Sequence, residues 1–176
     1  MSIDLKSLIR TIPDHPKPGI RFRDVSTLLT DAEGFADAAE RMASAAPQDI
    51  DLVAGIEARG FIFAGAIASR IAAGMLMVRK GGKLPGPAVG TDYALEYGDD
   101  RIEIHEGSVP NGARVLLVDD LIATGGTALA ATQLIEDAGA TVAAAIFLVD
   151  LPDLGGAQRL RDSGLDVHSL IEFEGE

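Results

Sequence analysis

The chain has 176 residues, 47% of them hydrophobic and 24% charged, the balance of a single soluble domain long enough to bury its own core. Its net charge of −12 argues against a nucleic-acid polymer or an anionic membrane as partner, but leaves room for a small anion held by local cations or backbone amides. It has no cysteine, which removes disulfides, thiolate nucleophiles and zinc–thiolate sites and fits a reducing, intracellular compartment.

In chain order, residues 1–10 lack the basic and apolar regions of a signal peptide, and a short helix is expected over 3–10. No apolar run reaches the ~18 to 20 residues of a membrane span, so a cytoplasmic protein is expected. A proline-rich loop leads to residues 20–24. Thr30 and Glu33 have the spacing of a capping box, which predicts a helix over 31–46. A buried strand follows at 52–56, then an apolar helix over 61–73 that should lie inside the protein or at a subunit contact. The next strand is expected at 75–79. Residues 80–90, with four glycines and two prolines, read as a loop. Residues 92–96 and 101–105 resemble the arms of a hairpin turning at 98–100. A continuous apolar strand at 114–118 should end at Asp119 and Asp120. A Gly-rich turn, a helix over 127–138 closed by Gly139, and strands at 141–149 and 167–173 complete the chain. Alternating apolar strands and Ala-rich helices predict an α/β fold with a mainly parallel central sheet flanked by helices.

The most specific stretch is Val115-Leu-Leu-Val-Asp-Asp-Leu-Ile-Ala-Thr-Gly-Gly-Thr127. A buried strand delivers its carboxyl end to the ligand edge of an open α/β sheet, and the helix that follows offers free N–H groups to an anion. Gly125 and Gly126 let the backbone approach that anion, while Thr124 and Thr127 can add hydroxyl donors. The stretch is neither a Walker loop nor a dinucleotide fingerprint. Two carboxylates would repel a phosphate unless sugar hydroxyls or Mg²⁺ lay between them, so the pattern suits a ribose 5-phosphate. The competing reading is a strand ending in two solvated acids.

This stretch resembles, over its whole length, the motif by which type I phosphoribosyltransferases bind 5-phosphoribosyl 1-pyrophosphate (PRPP). Four more segments resemble the adenine-specific branch of that family: Pro18-Gly-Ile-Arg-Phe-Arg-Asp24, Glu57-Ala-Arg-Gly-Phe61, Arg79-Lys-Gly-Gly-Lys-Leu-Pro-Gly86 and Leu95-Glu-Tyr-Gly98. The resemblance covers roughly residues 3 to 173. It implies one phosphoribosyltransferase domain over 1–176, with a small hood and base-recognition segment at 1–30 and a flexible catalytic loop and hairpin at 80–105. PRPP would rest on Asp119, Asp120, Ala123, Thr124, Gly125, Gly126 and Thr127.

Arg59 stands where a strand gives way to a helix, and its guanidinium fork matches phosphate oxygens; the resemblance makes this turn the pyrophosphate loop. Without it, Arg59 could as well be a surface residue at a helix start, and Glu57 reads as ordering the turn. Arg79, Lys80 and Lys83 form the densest cationic cluster. A solvated charge run is the ordinary explanation, but the surrounding glycines and prolines suit a closing loop that shields an oxocarbenium-like centre from water. Arg79 and Lys83 are assigned to pyrophosphate, and Lys80 is left open. The resemblance makes Glu96 the group that handles the base proton; otherwise it is an exposed hairpin residue. It also stacks Phe22 on one purine face, covers the other with Leu121, and brings Arg21 and Arg23 to the base. Arg21 departs from the family, where an apolar residue is usual. His15, His105 and His168 have no metal-ligand spacing and read as structural or surface residues.

The implied reaction is PRPP + adenine → AMP + pyrophosphate, a step of purine salvage, with Mg²⁺ carried by the substrate and a homodimer as the assembly. Two alternatives stand: the same chemistry on hypoxanthine, guanine or xanthine, and a non-catalytic PRPP-sensing regulator.

Overall fold

The computed structural model describes residues 3–94 and 98–175. Strand β1 (Arg10–Pro13) and strand β2 (Arg21–Asp24) form a separate antiparallel hairpin after a single 3-10 turn at Leu5–Leu8. The helix expected over 3–10 is therefore cut short. Arg10 lies opposite Asp24 in this hairpin and pairs with its carboxylate, a cross-strand ion pair that a helix would forgo. Hydrogen bonds from Ser26 and Arg10 lower the Asp24 carboxyl to about 2.

Helix α1 (Ser26–Thr30), which the sequence pattern does not announce, runs into helix α2 (Ala32–Ser44). The capping residue of α2 is Asp31 rather than Thr30: its carboxylate accepts from the Gly34 N–H at 2.7 Å. The Thr30 hydroxyl is engaged one turn back, donating to the Thr27 carbonyl at 3.1 Å.

The main body comprises strand β3 (Leu52–Ile56), helix α3 (Gly60–Ile71), strand β4 (Gly74–Lys80), strand β5 (Ala88–Ala94), strand β6 (Asp99–His105), strand β7 (Arg114–Ile122), helix α4 (Gly126–Asp137), strand β8 (Thr141–Asp150), helix α5 (Gly156–Asp162) and strand β9 (Val167–Glu172). Its seven-stranded sheet has the order β5-β6-β4-β3-β7-β8-β9. Strands β4, β3, β7, β8 and β9 are mutually parallel, and the β5–β6 pair joins antiparallel at β4. The expected mainly parallel α/β architecture is present.

Three local expectations are corrected. Strand β7 does not stop at residue 118 but carries both acids, because Leu121 and Ile122 still pair with Val149 and Asp150 of β8. Strand β5 begins at Ala88, inside the expected loop, and Asp99 and Asp100 belong to β6 opposite Ala94 and Tyr93 rather than to a turn. Helix α5 was not expected at all; it is short, and its apolar residues Ala157 and Leu160 are only one side of seven positions.

Burial on both sheet faces explains the continuous apolar strands. Ala54 and Ile56 of β3, Val115 and Leu117 of β7 and Phe147 of β8 pack towards α4 and α5. The alternate residues Val53, Leu116, Val118 and Ile146 pack towards α2 and α3, against Met42, Phe63 and Ile67. The strand order reverses between β3 and β7, which opens a crevice at their carboxyl ends.

Candidate active site

Two strand-to-helix turns meet at that crevice. The first, after β3, is Glu57–Arg59 leading into α3. Gly60 is required there: a Cβ would come within 2.8 Å of an Asp119 carboxylate oxygen and 3.0 Å of the Val118 carbonyl. A side chain would push α3 off β7, so the absence of one lets the two turns share a single site.

The second turn, after β7, lines a cavity of about 190 Å³. Asp119, Leu121, Ala123, Thr124, Gly125, Gly126 and Thr127 border it, together with Glu57 and Lys80 from across the crevice. Gly125 sits in the left-handed region at φ +81°, and no side chain caps α4. The amides of the first helical turn are thus left for an anion at the positive end of the helix dipole.

The acid pair divides its work. Asp120 is buried at 4% exposure and is not among the cavity-lining residues; it accepts from the Arg59 Nε at 2.5 Å. Asp119 faces the cavity, and one of its oxygens accepts from the Asp120 N–H at 2.8 Å. Burial, reinforced by the neighbouring Asp120 charge, pushes the Asp119 carboxyl well above the usual range. A ligand that donates two hydroxyl hydrogen bonds here would meet a half-buried acceptor.

Arg59 also lies against β2: its guanidinium carbon is 5.4 Å from the centroid of the Phe22 ring. The same ring makes a T-shaped contact with His15, with centroids 5.2 Å apart at 84°. Phe22, Arg59 and Asp120 therefore form one continuous row from hood to sheet. Arg23 departs from this row. Its buried side chain donates to the Thr11 hydroxyl at 2.6 Å and stacks 4.3 Å from the Phe173 ring, so its guanidinium is committed to the hood and not to the cavity. Arg21 is exposed beside Gly175.

On the opposite wall, the Glu57 carboxylate accepts from Arg79 Nε at 3.0 Å and from the Lys80 N–H at 2.7 Å, tying the β3 turn to the end of β4. Arg79 reaches on to the Lys83 carbonyl at 3.3 Å, while the Lys83 side chain is exposed. Burial opposes the Lys80 ammonium, but hydrogen bonds to Asp100 and Tyr93 outweigh it and raise its pKa. Glu96 and Tyr97 fall outside the described residues.

Tyr93 was not singled out from the sequence. Its hydroxyl receives a hydrogen bond from Lys80 at 2.8 Å and from Thr127 at 3.1 Å, and donates to Asp100 at 3.0 Å. It joins the hairpin to the α4 turn. Its rarity was a usable signal, for the chain has only two tyrosines.

Comparison with known proteins agrees with this fold. Residues 26–173 match the family model of the phosphoribosyl transferase domain. The adenine phosphoribosyltransferase of Sphingopyxis alaskensis is 56% identical over 175 residues, covering 99% of this chain and 95% of that protein. Among solved structures, the adenine phosphoribosyltransferase of Thermoanaerobacter pseudethanolicus superimposes with a TM-score of 0.91 at 46% identity, covering 97% of this chain and 98% of that one. The APRTase of Giardia lamblia complexed with 9-deazaadenine gives a TM-score of 0.89 at 35% identity, covering 97% and 96%.

Proposed function

The chain belongs to the phosphoribosyltransferase family, and from that premise we propose that it is an adenine phosphoribosyltransferase of purine salvage, converting PRPP and adenine to AMP and pyrophosphate. The observation that carries this reading is the pairing of an uncapped α4 turn with the Asp119 carboxyl on the wall of one cavity. The amides of residues 124–127 hold the 5-phosphate, and Asp119 accepts from the ribose diol, with Asp120 fixing Arg59 beneath it.

The base lies between Phe22 and Leu121. Arg21 and Arg23 then serve the base through their backbone, since neither guanidinium faces the cavity. Arg59, Arg79 and Lys83 receive the pyrophosphate. As the C1–oxygen bond to pyrophosphate breaks and the adenine nitrogen bonds to C1, positive charge develops on the ribose ring; the Asp119 carboxylate stabilises it. The base nitrogen loses its proton to the Glu96 carboxylate.

The donor set suits Mg²⁺ arriving as the PRPP complex. The hard carboxylate oxygens of Asp119 and Asp120 stand beside the cradle, and among the described residues no three His, Cys, Asp or Glu side chains gather to hold an ion unaided. When present, the ion neutralises leaving-group charge. The assembly is a homodimer, supported by the exposed Ile62 of α3 and the exposed Met75 and Met77 of β4 along one edge. The setting is the cytoplasm; no helix among the described residues is long and apolar enough to cross a membrane.

Pyrophosphate release with PRPP, Mg²⁺ and a panel of adenine, hypoxanthine, guanine, xanthine, uracil and orotate tests the reading. Turnover with adenine alone is expected. Turnover with a 6-oxopurine instead would overturn the base assignment, and no turnover with any base would leave the regulator reading.

A further inference from the structure

The phosphate cradle is held from behind by α5, some thirty residues further along the chain. The Gly156 N–H donates to the Ala123 carbonyl at 2.9 Å. The Arg159 guanidinium donates to the Thr124 carbonyl at 2.7 Å. Both peptides that follow these carbonyls are trans, and in a planar trans peptide the C=O of one residue and the N–H of the next point in opposite directions. Tethering the Ala123 carbonyl to α5 therefore turns the Thr124 N–H away from α5. Tethering the Thr124 carbonyl does the same for the Gly125 N–H. Both residues line the cavity.

The seat is close. A Cβ on Gly125 would come within 2.9 Å of the Gly156 carbonyl oxygen, and a Cβ on Gly156 would collide with the Ala123 carbonyl. Backbone thus meets backbone, and Arg159 adds a charged donor reaching over from the next turn of α5. An arginine suits this post: its hydrogen bond is charge-assisted and its charge is retained at every working pH.

We propose that Arg159 is a positioning residue for the 5-phosphate. By holding the Thr124 carbonyl outward it presents the cradle amides to the phosphate, without touching the reacting atoms. The inference rests on the assignment of this cradle to PRPP made above, and it extends the binding machinery to an element that carries no motif.

Calorimetric binding of ribose 5-phosphate and, separately, of pyrophosphate to the full-length protein tests it. Arg159 is exposed, so Arg159→Ala should fold, and Arg159→Lys provides the conservative control. Arg159→Ala is expected to weaken ribose 5-phosphate about five- to tenfold, the worth of one ordinary hydrogen bond, because the Arg159 side chain is exposed and acts on the phosphate only through the backbone. Pyrophosphate affinity should stay within about twofold, KM for PRPP should rise in parallel while kcat holds, and Arg159→Lys should recover most of the loss. Unchanged ribose 5-phosphate affinity in Arg159→Ala would overturn the proposal. So would an equal fall for both ligands, which would mark general loosening. Adenine turnover by the unaltered protein is scored separately: its absence alongside intact ribose 5-phosphate binding counts against the proposed reaction and not against Arg159. A wild-type protein that does not bind ribose 5-phosphate overturns the cradle assignment and this inference with it.

Discussion

In the proposed reaction, Asp119 is a site where function and stability oppose each other. Its carboxyl is raised first by burial and then by the Asp120 charge. An acid whose folded pKa lies above its unfolded value gives a stabilising contribution that is complete below the unfolded value, about 4, and is lost as pH rises through the folded one. At neutral pH the ionised form is therefore a liability to the free protein. Asp119→Asn should raise the melting temperature of the free protein by about 2 to 4 °C per kcal/mol relieved, more at pH 7 than at pH 4. The amide oxygen can still accept from the Asp120 N–H. The same change should raise KM for PRPP at least about tenfold, because the diol loses a charged acceptor. Melting curves at the two pH values with matched initial rates check this; a lower melting temperature at pH 7 would contradict it. Arg59 shows a related division, since one guanidinium pairs with Asp120 and lies against Phe22. Sequence alone predicted a phosphate partner for it but not this carboxylate, because a 61-residue separation leaves no local trace.

Among elements, the long apolar strands and the α4 turn were legible because each repeats a strong pattern: buried β-runs bounded by acids or glycine, then a helix with an open start. The elements that escaped are short and stabilised from elsewhere. β1 depends on β2 and the Arg10–Asp24 pair, α1 on the Thr27 hydroxyl reaching the Leu8 carbonyl at 2.6 Å, and α5 on its seat against residues 123–125. The same limit hid Tyr93 and the brace at Arg159, whose partners are 34 and 35 residues away. The α2 start was found within one residue, but with the wrong cap. With Asp31 as the cap, Asp31→Ala should cost about 1 kcal/mol, lowering the melting temperature by about 2 to 4 °C with KM for PRPP unchanged. Thr30→Ala should cost much less. A larger loss at Thr30 in thermal denaturation would restore the capping box.

At the scale of the whole molecule, an acidic protein binds a highly anionic substrate by concentrating its answer in one place. Net charge is −12, yet the crevice between β3 and β7 gathers Arg59, Arg79 and Lys80 with the uncapped start of α4. The parallel sheet supplies that location, since its strand order reverses there and both turns open on the same edge. The antiparallel β5–β6 arm adds the second wall, joined to the cradle through Tyr93 and Thr127. The phosphosugar cradle was thus readable from one contiguous stretch, whereas the way the β1–β2 hairpin, arm and α5 close around it required the fold. The most direct test combines purified protein, adenine, PRPP and Mg²⁺ and quantifies AMP and pyrophosphate together, beside the Asp119→Asn, Asp120→Asn double variant. The account predicts equal amounts of the two products from the wild type and a rate at least about a hundredfold lower from the folded double variant, the scale of losing the Asp119 transition-state contact, with Arg59 left unanchored as well. No AMP from the wild type, or a double variant as fast as it, would contradict it.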